Sequence, residues 1–415
     1  MSPLSTSLTL RAAKRRIDKF RPSLVSPQQC FSTIAIQGAS PDEATQLAEW
    51  MEQGRGGTVV LCGAGLSTDS GIPDYRGPNG IYVRNATYKP IMYQSFVSSH
   101  TARQRYWARS YYGFNRVERA SPNAAHAHLA RLFEAGLLLR GVDVTGPHEG
   151  GEKAGHVAVP SFVTQNVDGL QQKAGVADSA VLELHGSLRD VHCVSCGHQV
   201  GRKEFQTELE RLNPNWPPAT QTAPNLLDGA QEAIMGAERG AGGAGAGTGS
   251  ESGSGSIGSG RGFLAGRTPM PANDGKDVFG AVPLTAPVLS PLKAPAMNPD
   301  GDADIVVDFS SWKYPACTEC GGVMKPGVVF FGENLPRPTR DLSFHSIAHC
   351  SRLLVLGTSL AVLSALRLVR AAVEAGKPVA IVNVGPTRAD ALSGVRKWER
   401  GVGGVLGEVV ERVSR

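Results

Sequence analysis

The chain has 415 residues, of which 41% are hydrophobic and 19% are charged, and its formal net charge is +5. This length predicts about two to three domains, and the apolar content is enough for a substantial core. The small net charge excludes a chain that is disordered throughout or that coats nucleic acid along its whole length. The longest strongly apolar stretch, 353–366, has 14 uncharged residues, whereas a membrane-spanning helix needs about 20, so no membrane partner is expected.

The first 33 residues have the composition of a mitochondrial transit peptide. They contain six basic residues, one acid and several Ser and Thr, and Leu8, Leu10 and Ile17 share one side when the segment is placed on a helix. We therefore expect residues 1–33 to direct the protein to the mitochondrial matrix. A disordered basic tail and a charged surface helix are the alternatives.

The predicted elements that follow alternate between helices and short apolar strands. A helix at 42–53 precedes a strand at 58–61 that enters the glycine-rich turn 63–65. This pattern predicts an α/β fold with a doubly wound, Rossmann-like parallel sheet over 40–190 and 323–415, in which ligands bind at the carboxyl ends of the strands. The other predicted elements are strands at 161–164, 353–356 and 379–382, helices at 124–135 and 360–375, and a helical insertion at about 77–120.

One long segment differs from the rest in composition. Residues 236–262 contain 12 Gly, and proline-rich sequence follows. Such a stretch cannot bury enough apolar surface to order itself, so we predict a disordered insertion at about 217–304.

Two Cys-x-x-Cys pairs flank this predicted insertion: Cys193 with Cys196, and Cys317 with Cys320. Two such turns complete the four-thiolate set of a structural zinc site, which leaves no open position for catalysis. The 120 intervening residues do not defeat the pairing, because loop-closure entropy grows only logarithmically with length. We predict a smaller zinc-binding domain over 191–322; two unrelated thiol pairs are the alternative.

The turn after the first strand resembles a dinucleotide-binding fingerprint in which Thr68 replaces the third glycine. Its continuation to Gly77, GAGLSTDSGIPDYRG, resembles the cofactor loop of the sirtuins, the NAD-dependent protein deacylases. Five further motifs follow in the family's order: TQNVDGL at 164–170, LHG at 184–186, PGVVFFGE at 326–333, GTSL at 357–360 and IVN at 381–383.

The residue types in these motifs suit NAD chemistry. Backbone N–H groups of a glycine-rich turn can receive a pyrophosphate, and Asn166 and Asp168 can hydrogen-bond a ribose or an amide. His185 has an ordinary pKa near neutrality, which suits a general base. A packed or exposed histidine would be the plain alternative for His185 taken alone.

The resemblance implies that an acyl-lysine carbonyl oxygen attacks the nicotinamide ribose of NAD, which releases nicotinamide and O-acyl-ADP-ribose. It implies His185, Asn166 and Asp168 as the catalytic residues, with His185 activating a ribose hydroxyl. The implied cofactor-binding residues are Gly63, Ala64, Gly65, Ser67, Asp74, Tyr75, Arg76, Gln165, Asn166, Asp168, Gly357, Thr358, Ser359 and Asn383. The implied partners are acyl-lysine proteins, bound by a monomer that holds one zinc ion.

The sequences RYWARS at 105–110 and NVGPTR at 383–388 resemble class II sirtuins, the group that includes mitochondrial members. In that class a Tyr-x-x-Arg pair can read an acidic acyl chain, and Tyr106 and Arg109 have this spacing. The alternative is that Arg109 caps a helix or pairs with an internal carboxylate. Val329 and Phe330 are implied to pair with the substrate backbone as an added strand.

Other functions remain open at this stage: protein mono-ADP-ribosyl transfer, removal of lipoyl groups, and a catalytically silent NAD sensor. A zinc-ribbon nucleic-acid binder is disfavoured, because the segment near Cys193 offers only Arg189, Arg202 and Lys203 as basic residues.

Overall fold

The structure is a computed structural model that describes residues 41–146, 155–214, 297–305 and 308–414. The predicted transit segment and residues 217–296 of the predicted insertion lie outside these ranges. The strands are β1 (Thr58–Cys62), β2 (Asp143–Gly146), β3 (Gly155–Ala158), β4 (Phe162–Thr164), β5 (Val181–Glu183), β6 (Gly186–Cys193), β7 (Gln199–Gly201), β8 (Met324–Val328), β9 (Arg352–Leu356), β10 (Val379–Val382) and β11 (Val395–Trp398).

The α-helices of the described residues precede, separate and follow these strands. They are α1 (Pro41–Glu52), α2 (Ile81–Arg84), α3 (Tyr93–Ser98), α4 (His100–Arg119), α5 (Ala124–Glu134), α6 (Leu170–Lys173), α7 (Arg202–Leu212), α8 (Arg337–His349), α9 (Leu363–Glu374) and α10 (Val402–Val413). No helix of the described ranges is both long and apolar enough to cross a membrane.

A six-stranded sheet with the order β11-β10-β9-β1-β4-β5 lies at the centre, and all of its neighbouring strands are parallel. The four strands predicted from the sequence are four adjacent members of it, β10, β9, β1 and β4. Strands β5 and β11, which the sequence analysis did not predict, extend the sheet at its two edges.

The central strands are buried on both faces, as their continuous apolar runs require. Val60 and Leu354 pack in one core cluster with residues of α1, α5 and α10. Val59 and Leu353, the alternate residues, pack in a second cluster with residues of α8 and α9. Helices therefore cover both faces, which confirms the predicted doubly wound Rossmann-like fold.

A second, three-stranded sheet with the order β7-β6-β8 is antiparallel. It belongs to a third core cluster, which includes Trp107 of α4, Phe205 of α7 and Trp312. The smaller region thus begins at β6 (Gly186–Cys193) and includes β8 (Met324–Val328), a few residues beyond each of the boundaries predicted at 191 and 322. Helices α2, α3 and α4 lie in the predicted helical insertion at 77–120.

The end of the predicted disordered insertion requires correction, because residues 297–304 are part of the fold. Met297 and Ala303 form an antiparallel bridge, and both are buried. The Ala303 N–H donates to the Arg109 carbonyl of α4 at 3.0 Å. Composition missed this segment because it is short, and its order comes from contacts with α4 and from the burial of a few apolar residues in the core.

Candidate active site and zinc site

The loops after β1 and β9 pack directly against each other. The Gly65 N–H donates to the Gly357 carbonyl at 2.9 Å, and a Cβ atom on Gly65 would lie 2.8 Å from that oxygen. A Cβ atom on Gly63 would lie 2.7 Å from Cβ of Thr358. Glycine is therefore required at 63 and 65 by the close approach of two loops, before any ligand is considered.

Three polar side chains are buried together where β1 and β4 end. The Ser67 hydroxyl donates to Oδ2 of Asp168 at 2.7 Å, and Nδ2 of Asn166 donates to Oγ of Ser67 at 3.0 Å and to the Gly63 carbonyl at 3.1 Å. All three residues are less than one-tenth exposed. The predicted catalytic pair, Asn166 and Asp168, thus shares one network with the predicted cofactor residue Ser67.

The Asp168 carboxyl also accepts the Leu170 N–H at 3.0 Å through Oδ1. Burial raises the pKa of Asp168, and the hydrogen bonds from Leu170 and Ser67 oppose that shift. These two donors fix the carboxyl plane, so the loop 166–170 is held in one shape.

The remaining predicted cofactor residues line the same edge of the sheet. Nε2 of Gln165 donates to Oγ1 of Thr358 at 3.0 Å and thereby joins the loops after β4 and β9. Nδ2 of Asn383, just after β10, donates to the carbonyls of Val384 and Gly385 at 2.9 and 3.0 Å. The Ser359 carbonyl accepts the Arg388 N–H at 3.0 Å, and the Ala64 carbonyl accepts the Ser67 N–H at 3.0 Å.

The rest of the loop after β1 folds around the side chain of Asp74. Oδ1 of Asp74 accepts the Gly77 N–H at 3.0 Å, and burial raises the pKa of this carboxyl. The ring centres of Tyr75 and Tyr82 lie 6.1 Å apart. The guanidinium of Arg76 lies 4.9 Å from the centre of the Tyr82 ring.

Together these groups offer hydroxyls, amides and backbone dipoles at the carboxyl ends of four adjacent parallel strands. This is the donor and acceptor set that the phosphates, riboses and amide of a dinucleotide require, at the position where open α/β sheets bind ligands. The residues present therefore fit NAD.

His185 follows β5 and lies at the same edge of the sheet, where two hydrogen bonds hold its ring. Its Nδ1 lies 3.1 Å from the Gln165 carbonyl oxygen, and its Nε2 lies 2.8 Å from Oγ of Ser364. A carbonyl can only accept, so Nδ1 carries the hydrogen and Nε2 is the basic nitrogen of the neutral ring. Burial lowers the pKa of His185 despite the opposing hydrogen bond to Gln165, so the ring is neutral near pH 7, as a general base must be.

The four predicted zinc ligands converge. Sγ of Cys193 lies 3.5 Å from Sγ of Cys320, Sγ of Cys196 lies 3.7 Å from Sγ of Cys317, and all four lie within 4.8 Å of one another. Zinc–sulfur bonds of about 2.3 Å in a tetrahedron separate the sulfurs by about 3.8 Å, so this cluster fits one structural zinc ion.

The two cysteine turns also share one backbone shape. The Gly197 N–H donates to the Cys193 carbonyl at 3.0 Å and the Gly321 N–H donates to the Cys317 carbonyl at 2.9 Å. Both glycines have a positive φ, 75° and 69°, which explains the glycine after each second cysteine. The structure therefore matches the two turns that the sequence predicted.

The predicted acyl reader Arg109 is engaged inside the protein. Its Nε lies 2.8 Å from Oδ2 of Asp302, and the two side chains are 8% and 10% exposed. Oδ1 of Asp302 in turn accepts Nδ2 of Asn298 at 2.5 Å. The structure thus shows the internal carboxylate partner that was the alternative for Arg109. Tyr106 is buried among aromatic rings, and its ring centre lies 5.1 Å from that of Phe330 and 5.4 Å from that of Phe96.

The backbone N–H groups of Val329 and Phe330, which were predicted to pair with the substrate backbone, already have acceptors within the protein. The Val329 N–H donates to the His185 carbonyl at 2.8 Å, and the Phe330 N–H donates to Oε2 of Glu333 at 2.8 Å. Nζ of Lys325 lies 3.2 Å from the same Glu333 oxygen. This segment connects directly to His185, but an added strand would have to use backbone groups other than these two N–H groups.

Sequence reasoning missed Ser364 and Asp302, and no local signal marks either residue. Ser364 lies 179 positions from His185, and Asp302 falls in the stretch predicted to be disordered.

The fold and the site define a dinucleotide-binding α/β protein with an appended four-cysteine zinc region, and comparison with known proteins is consistent with this. The model of the Sir2 family matches residues 63–143, 152–227 and 298–364. The chain is 39% identical over 365 residues to the NAD-dependent protein deacylase SIR4 of Batrachochytrium dendrobatidis, covering 87% of this chain and 92% of that relative. It is 35% identical over 357 residues to the NAD-dependent protein deacylase SRT2 of Arabidopsis thaliana, covering 86% and 72% of the two chains.

The chain therefore belongs to the Sir2 family, which confirms the resemblance to the sirtuins. A solved structure described as "Sir2-p53 peptide-NAD+" superposes with a TM-score of 0.51 at 22% identity, covering 89% of this chain and 98% of the other. At that identity the match supports the fold.

Proposed function

We propose that this protein is an NAD-dependent protein-lysine deacylase that releases nicotinamide and O-acyl-ADP-ribose. The observation that carries the proposal is the environment of His185, whose Nδ1 is held by the Gln165 carbonyl so that Nε2 is the basic nitrogen. The relatives named as NAD-dependent protein deacylases support the same activity.

When bound, NAD supplies the ribose carbon that receives the acyl oxygen and the nicotinamide that leaves. The chain's own residues bind, orient and move a proton. Ser67, Asn166 and Asp168 present one rigid polar surface at the ends of β1 and β4. His185, neutral near pH 7 because burial lowers its pKa, accepts a hydroxyl proton at Nε2.

The test is nicotinamide release by the purified protein with peptides that carry acetyl, succinyl, glutaryl, methylglutaryl, lipoyl or long-chain acyl lysine, with mass spectrometry of peptide and protein. We expect nicotinamide release coupled to a bare lysine. ADP-ribose mass on a protein without deacylation would contradict the proposal and favour the transferase, and no release with any peptide would favour the silent sensor.

For the acyl group, the ion pair with Asp302 argues for a neutral chain. Arg109 is the residue predicted to clamp an acidic chain, and a second carboxylate would have to compete with Asp302 for it at a buried position. We expect acetyl or longer neutral chains to turn over faster than succinyl or glutaryl chains. A preference for acidic chains that Arg109→Met abolishes would restore Arg109 as the acyl reader.

The class II assignment and the mitochondrial matrix location are proposals that the sequence supports. Residues 1–33 carry the basic, acid-poor composition of a transit segment. Fusing these residues to a fluorescent protein should send the fusion to mitochondria, and a cytosolic fusion would contradict the proposal. A monomeric state, with no nucleic-acid or membrane partner, stays a prediction.

A further inference from the structure

Ser364 contacts the proposed base directly, and the deacylase proposal gives it no role. Its Oγ lies 2.8 Å from Nε2 of His185, and Nδ1 of the same ring lies 3.1 Å from the Gln165 carbonyl oxygen. A hydroxyl, an imidazole and an acceptor that orients the imidazole thus stand in one hydrogen-bonded row. This is the arrangement that activates a serine nucleophile, in which the third group fixes the ring.

The hydrogens in this row have a definite direction. The Gln165 carbonyl can only accept, so Nδ1 carries the ring hydrogen and the unprotonated Nε2 accepts the hydroxyl hydrogen of Ser364. The basic lone pair of His185 is therefore aimed at the serine oxygen. A seryl proton has an acceptor in place, which is the first requirement for attack by Oγ.

The helix that carries Ser364 supplies donors for a developing negative charge. Ser364 is the second residue of α9, whose N-cap Val362 forms no side-chain cap. The first N–H groups of a helix have no intrahelical acceptor and lie at the positive end of its dipole. Donors of this kind stabilise an oxyanion next to a nucleophile.

The row is partly accessible to solvent. Ser364 and His185 are each partly exposed, and the neighbouring Leu363 is 49% exposed. Two other hydroxyl–imidazole contacts of the described residues are exposed: Oγ1 of Thr318 lies 3.5 Å from Nε2 of His198, and the phenolic oxygen of Tyr314 lies 2.6 Å from Nδ1 of His100. The short distance, the oriented ring and the helix terminus coincide at Ser364.

We propose that Ser364 and His185 form a nucleophile–base pair that hydrolyses carboxylic esters of short acyl chains without NAD. Oγ of Ser364 bonds to the ester carbonyl carbon while its proton passes to Nε2 of His185. The bond to the alcohol oxygen then breaks as Nε2 returns that proton to the leaving oxygen. Water attacks the acyl-serine, its proton passes through Nε2 to Oγ, and the carboxylic acid leaves.

The test uses the full chain without added NAD and p-nitrophenyl acetate as the probe. We expect a burst of p-nitrophenolate and, after rapid acid quenching, an acetyl group mapped to Ser364 by peptide mass spectrometry. Ser364→Ala and His185→Ala should each lower the rate by about 100-fold or more. Ser98→Ala is the matched control, because Ser98 is an exposed helical serine that donates to the Gln94 carbonyl at 2.7 Å, and it should keep the wild-type rate.

An acetyl group found only on residues other than Ser364, or a Ser364→Ala variant that loses less than about tenfold of the rate, would overturn the proposal. The mapping is done on the unmodified chain, so it decides the question even if Ser364→Ala folds poorly. Because NAD is absent, a negative result leaves the deacylase proposal standing, and failure of the deacylase assay leaves this one standing.

Discussion

The crevice of the parallel sheet and the smaller zinc-binding region hold their shapes by different means. In the crevice, backbone turns and neutral hydrogen bonds position Ser67, Asn166 and His185 on top of two hydrophobic layers. In the smaller region, four thiolates and the buried Arg109–Asp302 pair join segments distant in the sequence. We therefore expect single changes in the crevice to alter chemistry and single changes in the smaller region to alter stability.

The largest effect should come from the zinc ligands. Cys193→Ser removes one thiolate from the cluster, and structural zinc sites contribute about 10–16 kcal/mol of apparent binding free energy. We expect loss of zinc by elemental analysis and a large fall in the midpoint of thermal unfolding. Ser195→Ala, in the same turn, should keep both. A Cys193→Ser protein that stays zinc-loaded and equally stable would remove the four-cysteine site.

Changing His185 should have the next largest effect, and on chemistry alone. His185→Ala should lower NAD-dependent deacylation by about 100- to 10,000-fold, the range of general-base catalysis, with little change in thermal unfolding. His349→Ala, an exposed histidine of α8, serves as the control. If turnover persisted, His185 would not be the base, and if the protein unfolded instead, the contrast between the two regions would be wrong.

Breaking the Arg109–Asp302 pair should have a smaller effect, on stability. Asp302→Ala leaves a buried guanidinium without its carboxylate, which costs about 3–5 kcal/mol in comparable sites. Arg109→Met combined with Asp302→Ala should cost less than the two single changes added together. Urea unfolding of all four proteins measures this coupling, and strictly additive losses would show that the pair does not anchor residues 297–305 to α4.

The remaining effect, a pH dependence of stability, should come from Asp300. Burial, with Asp302 nearby, raises the pKa of Asp300 to about 8, against an ordinary value of 3.8. The folded state thus favours the protonated carboxyl, and this contribution to stability is lost as the pH rises from about 4 to about 8. Asp300→Asn should become more stable relative to wild type over that range, as measured by unfolding at several pH values. Parallel profiles would mean that Asp300 titrates normally.

The sequence by itself determined the four central strands of the sheet and most of the crevice. The runs 58–61, 161–164, 353–356 and 379–382 are apolar apart from a Thr or Ser at the ends of the first two, which is typical of strands covered on both faces. The carboxyl ends of neighbouring parallel strands lie at one edge, so the motifs that follow them had to meet there. The four cysteines were equally predictable, because two pairs of thiolates complete one tetrahedral site.

Only the tertiary structure decided which distant side chains touch. The contact of Ser364 with His185 depends on how α9 packs over the sheet, and the pairing of Arg109 with Asp302 depends on where residues 297–305 return to α4. No local periodicity or motif in the sequence predicts either contact. The spacing of residues along the chain determines which near neighbours a side chain can contact. The packing of helices and strands determines which residue from a distant part of the sequence it contacts.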